Sequence, residues 1–143
     1  MVQDMTMLDY QVIKCLFREN RPLKIGQIKK LLDVPHSTLG SCVYRLKSQG
    51  YVEYEPYYEV KLTTEGDELA KEILRHKHLI EIFLYRELDL TKEQAHEESE
   101  RLNLVFSCEV INKICEKFDH PKECPCGETI LNSQSCHCQQ SII

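Results

Sequence analysis

The sequence has no apolar run near the ~18 residues that a membrane-crossing helix needs, so no transmembrane segment is expected. Residues 1–7 carry Asp4 and no Lys or Arg, which speaks against a secretory signal and makes the cytoplasm the expected location. Glycine and proline number only five each, too few for a chain that is disordered throughout. There is no internal repeat. Gly-rich phosphate loops, G-x-S-x-G and H-E-x-x-H are all missing, so nothing points to an enzyme. What remains is a globular composition of 143 residues, 42% apolar and 29% charged, enough for one compact domain or two small ones.

Two things are present in excess. The first is an uneven charge. The net charge is −5, but residues 1–50 hold eight Lys/Arg against four acids, a local balance of +4. Residues 76–143 hold seven against twelve, a balance of −5. The first third can face phosphate, whereas the last half suits cations or a partner subunit. The second is cysteine: eight residues, five of them between Cys115 and Cys138. In a reducing compartment such clustering reads as metal binding or thiol redox chemistry.

Hydrophobic periodicity predicts helices over 8–19, 24–33 and 36–49, with Leu39, Val43 and Leu46 forming the buried stripe of the third and Gly50 its C′ residue. Helix, short turn, helix is a helix-turn-helix unit. Alternating runs at 51–55 and 58–63 predict a hairpin directly after it, the wing of a winged helix. A long helix is expected over 64–88. Thr91 and Gln94 signal the start of another, running to about Phe106, and a last helix is expected near 107–118. Residues 119–143 lose periodicity and read as loop, ordered only where something ties them down. The expected fold is therefore mostly α with a small β-wing. A DNA-binding winged helix spans 1–63, a helical dimerisation and sensing domain 64–118, and a Cys-rich segment 119–143.

A major-groove reader needs polar side chains on the exposed early turns of a helix and an apolar stripe behind them. Residues 36–47 supply both. His36, Ser37, Thr38 and Ser41 can reach bases or phosphates, Tyr44, Arg45 and Lys47 can reach the backbone, and Gly40 permits close approach. Tyr57 in the wing, with Tyr58 and Lys61, can touch flanking phosphates. Double-stranded DNA is the expected partner.

The segments VPHSTLGSCVYRLKSQGYVEYE, KLTTEGDELA, RHKHLIEIFLYRELDL and FDHPKECPCGETI, in that order, resemble the diphtheria-toxin-repressor and manganese-transport-regulator family over roughly residues 7–131. The resemblance implies a homodimer formed through the post-wing helices, a palindromic operator, and DNA binding promoted by metal. It places Asp9, Glu81, His96 and Glu100 on ligand positions of the family. It also shows departures. The family's Glu-His ligand pair is Asn103-Leu104 here, and the His expected four residues before Glu81 is Lys77, flanked by His76 and His78. Manganese or iron at the usual positions is thereby put in doubt.

Cys126 stands where many members carry His, and creates Cys124-Pro-Cys126, followed by Cys136-His137-Cys138. Four thiolates within fifteen residues can hold Zn²⁺ or ligate an iron–sulfur cluster. Cys108 and Cys115, seven apart on one helix face, are further ligands or plain core residues. Cys15 and Cys42 read as core. His120 reads as a turn residue. His76, His78 and His96 are either a remnant metal site or solvated helix-face residues. The combined expectation is a metal-, iron–sulfur- or redox-responsive DNA-binding repressor. Its cofactor is iron or an iron–sulfur cluster, with Zn²⁺ or Mn²⁺ as alternatives, and a metal-free thiol–disulfide switch is the competing function.

Overall fold

The computed structural model describes residues 5–138. It contains six helices and one two-stranded sheet among them: α1 Met7–Glu19, α2 Ile25–Leu32, α3 His36–Ser48, β1 Val52–Glu53, β2 Lys61–Leu62, α4 Thr64–Glu87, α5 Lys92–Leu102 and α6 Cys108–Lys117. The chain divides into two compact units at Ala70/Lys71, within α4.

In the first unit, α1 starts with a reciprocal capping box. Thr6 Oγ1 accepts from the Asp9 amide at 3.2 Å, and Asp9 Oδ2 accepts from the Thr6 amide at 3.1 Å. Such a cap is worth about 1 kcal/mol. Asn20 ends the helix in the left-handed region, at φ 53°. Tyr10, Val12, Ile13 and Leu16 of α1 are buried together with Ile28 of α2 and Leu39, Val43 and Leu46 of α3. These are the stripes that 3.6-residue periodicity projects onto one side of each helix.

β1 and β2 pair antiparallel with Val52 opposite Leu62 and Glu53 opposite Lys61. The strands are shorter than the alternation at 51–55 and 58–63 suggests, because residues 54–59 form an open turn at the wing tip, with Tyr57 at φ 73°. A third segment joins them: Leu23 and Val60 exchange both backbone hydrogen bonds, at 3.0 and 2.7 Å. Where the wing returns into α4, Gly66 lies against the Tyr51 carbonyl, and a Cβ there would sit 2.0 Å from that oxygen. Only glycine fits this approach.

In the second unit α4 is the central element. Every residue from Glu72 to Ile82 is buried, which explains why its pattern is not a clean amphipathic stripe. Leu79, Ile80, Ile82 and Leu84 form a core with Ala95, Ile111 and Ile114, and Cys115, Cys136 and Cys138 belong to the same cluster. The described residues after α6, 118–138, carry no helix, as expected, yet they are tied down. Lys122 to Ile130 fold back through the Glu123–Thr129 bridge and the Ile130 N–H to Lys122 O bond of 2.9 Å. The turn Cys124-Pro125-Cys126-Gly127 closes with a 2.9 Å bond from the Gly127 amide to the Cys124 carbonyl, Gly127 taking φ 88°. No helix among the described residues is long and apolar enough to cross a membrane.

Candidate functional site

The exposed face of α3 carries the residues singled out from sequence. His36, Ser37, Thr38, Ser41, Tyr44, Arg45 and Lys47 are all exposed, and Gly40 is half-buried. Leu39, Cys42, Val43 and Leu46 lie beneath them. Lys47 Nζ stands 5.9 Å from the Tyr44 ring centroid, and Tyr44 meets Tyr54 of the wing edge-to-face at 6.4 Å. Tyr57 is 96% exposed at the wing tip. Helix and wing therefore present one polar, basic and aromatic surface in the first unit.

Arg45 has a second task. Its guanidinium donates to both oxygens of the buried Asp9, through Nε to Oδ2 at 3.3 Å and through Nη2 to Oδ1. The Cys42 thiol donates to Oδ1 at 3.1 Å. Burial alone would raise the Asp9 carboxyl. The hydrogen bonds from Arg45, Cys42 and the Thr6 amide, with the Arg45 charge, together hold it below its ordinary value. Asp9, which the family resemblance marks as a ligand, has its carboxylate engaged inside the first unit. Cys42 is buried, while Cys15 is only half-buried.

The second unit brings the metal-ligating residue types together in three groups. In the first, Glu81 and His96 meet Cys126, with their ligating atoms within 4.8 Å of one another. The wholly buried Lys77 ammonium stands among them, 3.1 Å from Glu81 Oε1, 3.3 Å from His96 Nδ1 and 4.0 Å from Glu100 Oε1. Burial would raise the Glu81 carboxyl, but Cys126, Lys77 and His96 outweigh it and lower it. Burial and the neighbouring Glu81 push the exposed-edge Cys126 thiol up to about 11. A positive charge therefore sits among the residues that the family resemblance marks as ligands, and a divalent ion there would face an ammonium at contact distance. Nearby, Asn103 donates its amide to the Ser99 and Glu100 carbonyls at 3.3 and 2.7 Å, and Leu104 offers no donor atom. This set does not suit manganese or iron held in the family's manner.

The second group is His76, Cys108 and Cys136. His76 Nε2 lies 3.1 Å from Cys136 Sγ and 3.5 Å from Cys108 Sγ, and Glu72 Oε1 lies 3.5 Å from Cys108 Sγ. Burial, with Cys136 and Glu72 beside it, pushes the Cys108 thiol up to about 12. Burial likewise lowers His76, which favours the neutral imidazole. The third group is Cys115, His120 and Cys138, with Cys115 Sγ 3.5 Å from His120 Nδ1. Burial and the adjacent Cys115 push Cys138 up to about 11.

The four cysteines of the two C-x-C pairs are therefore not gathered into one centre. Cys126, Cys136 and Cys138 go to three different groups, and Cys124 is buried at the base of its turn. Cys108 and Cys115 lie about 10 Å apart along α6, two helical turns, so each meets a different cysteine of the later pair. The solvated-face reading of His76 and His78 is corrected by their burial at 1% and 2% exposure. His78 Nε2 instead approaches Glu128 Oε2 at 3.7 Å. His120 does occupy a turn, at φ 53°, but its ring faces Cys115. Glu72 carries no sequence signal of a site role beyond its place on the long helix.

Comparison with known proteins agrees with this architecture. The family model "Iron dependent repressor, metal binding and dimerisation domain" matches residues 63–132. An HTH-type transcriptional regulator of Methanocaldococcus jannaschii, MJ0568, itself uncharacterized, is 38% identical over 102 residues, 69% of this chain and 82% of that protein. The HTH-type transcriptional regulator MntR of Lysinibacillus sphaericus is 28% identical over 102 residues, 71% of this chain and 73% of the relative. The crystal structure of the hypothetical protein SSo2273 from Sulfolobus solfataricus superposes with a TM-score of 0.72 at 24% identity, covering 86% of this chain and 95% of that one, and so shares the fold. The winged helix-turn-helix, the helical second unit and these matches place the chain in the iron-dependent repressor family, that of the diphtheria toxin repressor and MntR.

Proposed function

We propose that this chain is a metal-responsive, DNA-binding transcriptional repressor that works as a homodimer on a palindromic operator. The DNA half of the reading is supported by the exposed polar face of α3, by the basic balance of the first fifty residues, and by relatives that are transcriptional regulators. Exposed apolar residues of the second unit, Leu88, Val105 and Val110, are available for a partner subunit.

One observation carries the metal half: Cys108, Cys115 and Cys136 each have an imidazole nitrogen within 3.5 Å. Core packing does not call for such pairs. Two thiolates with one imidazole suit a single iron or zinc ion. An iron–sulfur cluster asks for four cysteine-type ligands and is the lesser variant, and manganese, a hard ion, suits these sulfur-rich sets least. The metal would tie residues 119–138 to the helices of the second unit and so set the spacing of two reader helices in the dimer, which half-sites one helical turn apart demand.

A metal-free thiol–disulfide switch is the second reading, favoured by the sulfur atoms of Cys115 and Cys138 lying within 4.8 Å. The test is selection of DNA from a random duplex library, under anaerobic conditions, by protein loaded with Fe²⁺ and by protein in chelator. Recovery of a palindromic consensus only with metal supports the proposal. Equal recovery in both, with a change on oxidation and a two-dalton mass loss, would replace it with the redox switch. Recovery of no consensus in any state would overturn DNA reading altogether.

A further inference from the structure

The group around His76 has the architecture of a prepared metal site, at positions different from those the family resemblance marks. Its atoms come from three parts of the second unit: His76 and Glu72, one turn apart on α4; Cys108, the first residue of α6; and Cys136, in the C-terminal segment. The edges are 3.1 Å from His76 Nε2 to Cys136 Sγ, 3.5 Å from His76 Nε2 to Cys108 Sγ, and 3.5 Å from Cys108 Sγ to Glu72 Oε1. A tetrahedral ion with bonds of about 2.3 Å to sulfur and about 2.0–2.1 Å to nitrogen or oxygen requires edges of about 3.6 Å. These three edges lie within about half an ångström of that length, and the donor atoms of His76, Cys108 and Cys136 all lie within 4.8 Å of one another, with Glu72 reaching the group through Cys108.

The surroundings hold each donor in place. His76 Nδ1 lies 3.3 Å from the Asn103 carbonyl. A carbonyl only accepts, so the ring proton belongs on Nδ1 and the Nε2 lone pair points at the two sulfurs. This is the outer contact that ligating histidines use. The Ser135 hydroxyl donates to Glu72 Oε1 at 3.0 Å. Ser133 and Cys136 exchange bonds, the Cys136 amide donating to Ser133 Oγ at 2.9 Å and the Ser133 amide to the Cys136 carbonyl at 3.1 Å. Glu72, His76 and Cys136 are at most 3% exposed. Two thiolates and a carboxylate buried together would need a cation. The Arg75 guanidinium, 1% exposed and beside Cys136, supplies part of that charge and a divalent ion the rest.

We infer that His76, Cys108 and Cys136 bind one divalent cation of borderline softness, zinc or ferrous iron, with one nitrogen and two sulfur ligands, and that the Glu72 carboxylate beside Cys108 closes in to supply a fourth, oxygen ligand. Soft thiolate and imidazole donors exclude magnesium, calcium and manganese as preferred occupants. The inference deepens the regulatory reading and rests on it for what the ion does, but binding is a separate matter from DNA recognition.

The test is titration of the reduced full-length protein with Co²⁺, followed by its visible and near-ultraviolet absorption, and repeated on Cys108→Ser, Cys136→Ser, His76→Gln, Cys126→Ser and Cys138→Ser. Wild type should show thiolate-to-cobalt charge transfer and a tetrahedral ligand-field band. Cys108→Ser and Cys136→Ser should each lose about half of the charge-transfer intensity of the first equivalent. With His76→Gln, affinity should fall by more than about tenfold, since even an outer partner is worth roughly that. Cys126→Ser should be unchanged. Loss in Cys138→Ser with retention in Cys136→Ser would move the ion to the Cys115 group and overturn the inference, as would a cobalt spectrum without thiolate bands. If the serine variants fail to fold, zinc protection of cysteines from alkylation in the wild type, read by peptide mass, decides. Zinc-dependent protection of Cys108 and Cys136 is expected, and protection of Cys115 and Cys138 instead contradicts the site. Cobalt binding as described with metal-indifferent DNA binding would refute the regulatory reading and leave this site standing.

Discussion

Lys77 Nζ and Glu81 Oε1 lie 3.1 Å apart with neither side chain exposed, and this ion pair occupies the position that the family resemblance assigns to a metal. Removing the cation leaves a buried carboxylate unpaired, which costs about 3–5 kcal/mol. Lys77→Met should therefore lower the unfolding midpoint sharply, by denaturant titration. Lys77→His should restore a His–Glu–His set with His96 and gain Mn²⁺ binding, measured by electron paramagnetic resonance, where wild type shows none at this group. Manganese bound by wild type and lost on Glu81→Gln would contradict the reading of Lys77 as the resident cation.

The Asp9–Arg45 contact joins the first helix to the reader helix. Asp9→Asn keeps the shape and removes the charge. A hydrogen bond to a charged group contributes about 1.5–3 kcal/mol, and Arg45, 42% exposed, can turn to solvent, so the loss should fall at the lower end. Because the folded carboxyl is depressed, its contribution is full above the ordinary carboxyl value of about 3.9 and is lost as pH falls through the lowered one. Wild type should lose stability relative to Asp9→Asn on acidification below that range. Parallel curves for the two proteins would show that the pair contributes nothing.

Gly66→Ala should unfold or loosen the return from the wing, because the added methyl meets the Tyr51 carbonyl at 2.0 Å. A loss of about 2 kcal/mol or more is expected. Gly26→Ala is the control: nothing lies within 4 Å of its Cβ and it is inside α2, so a gain of about 0.4–1 kcal/mol is expected. Thermal melts of the two variants give both signs directly.

On the DNA side, Lys47→Ala should weaken binding across sequences and reduce the slope of log affinity against log salt by about one. Thr38→Ala, on the exposed first turn of α3, should instead cost about 1–3 kcal/mol on the preferred site and relax preference at one base pair. Uniform loss in both would mean that α3 contacts phosphate alone.

Much of the fold was legible. The helices fall within four residues of their predicted ends because Gly50, Thr91 and the apolar stripes are strong local signals. The wing was legible in place and not in length, since alternation does not tell a paired residue from an extended one in an open turn. The ligand groups were legible in composition only. Cys136 and Cys138 are two residues apart, but which end of α6 each meets is decided by packing over 28 and 23 residues of chain, back to Cys108 and Cys115. In the sequence, His76 and His78 stay open between a remnant metal site and a solvated face because nothing local shows that α4 is buried on all sides. Lys77 stood out as a departure from the family pattern, but its sequence gives no sign that its ammonium takes the metal's place.

In the proposed repressor, metal occupancy and DNA affinity are coupled. The measurement is fluorescence anisotropy of a duplex recovered by selection, titrated with reduced protein in Fe²⁺, in Zn²⁺ and in chelator at one fixed salt concentration. A metal-responsive repressor should bind about 5–150-fold more tightly with its metal, the range of a coupling of about 1–3 kcal/mol, and lose that gain in Cys136→Ser. Equal affinity with metal and with chelator would contradict it.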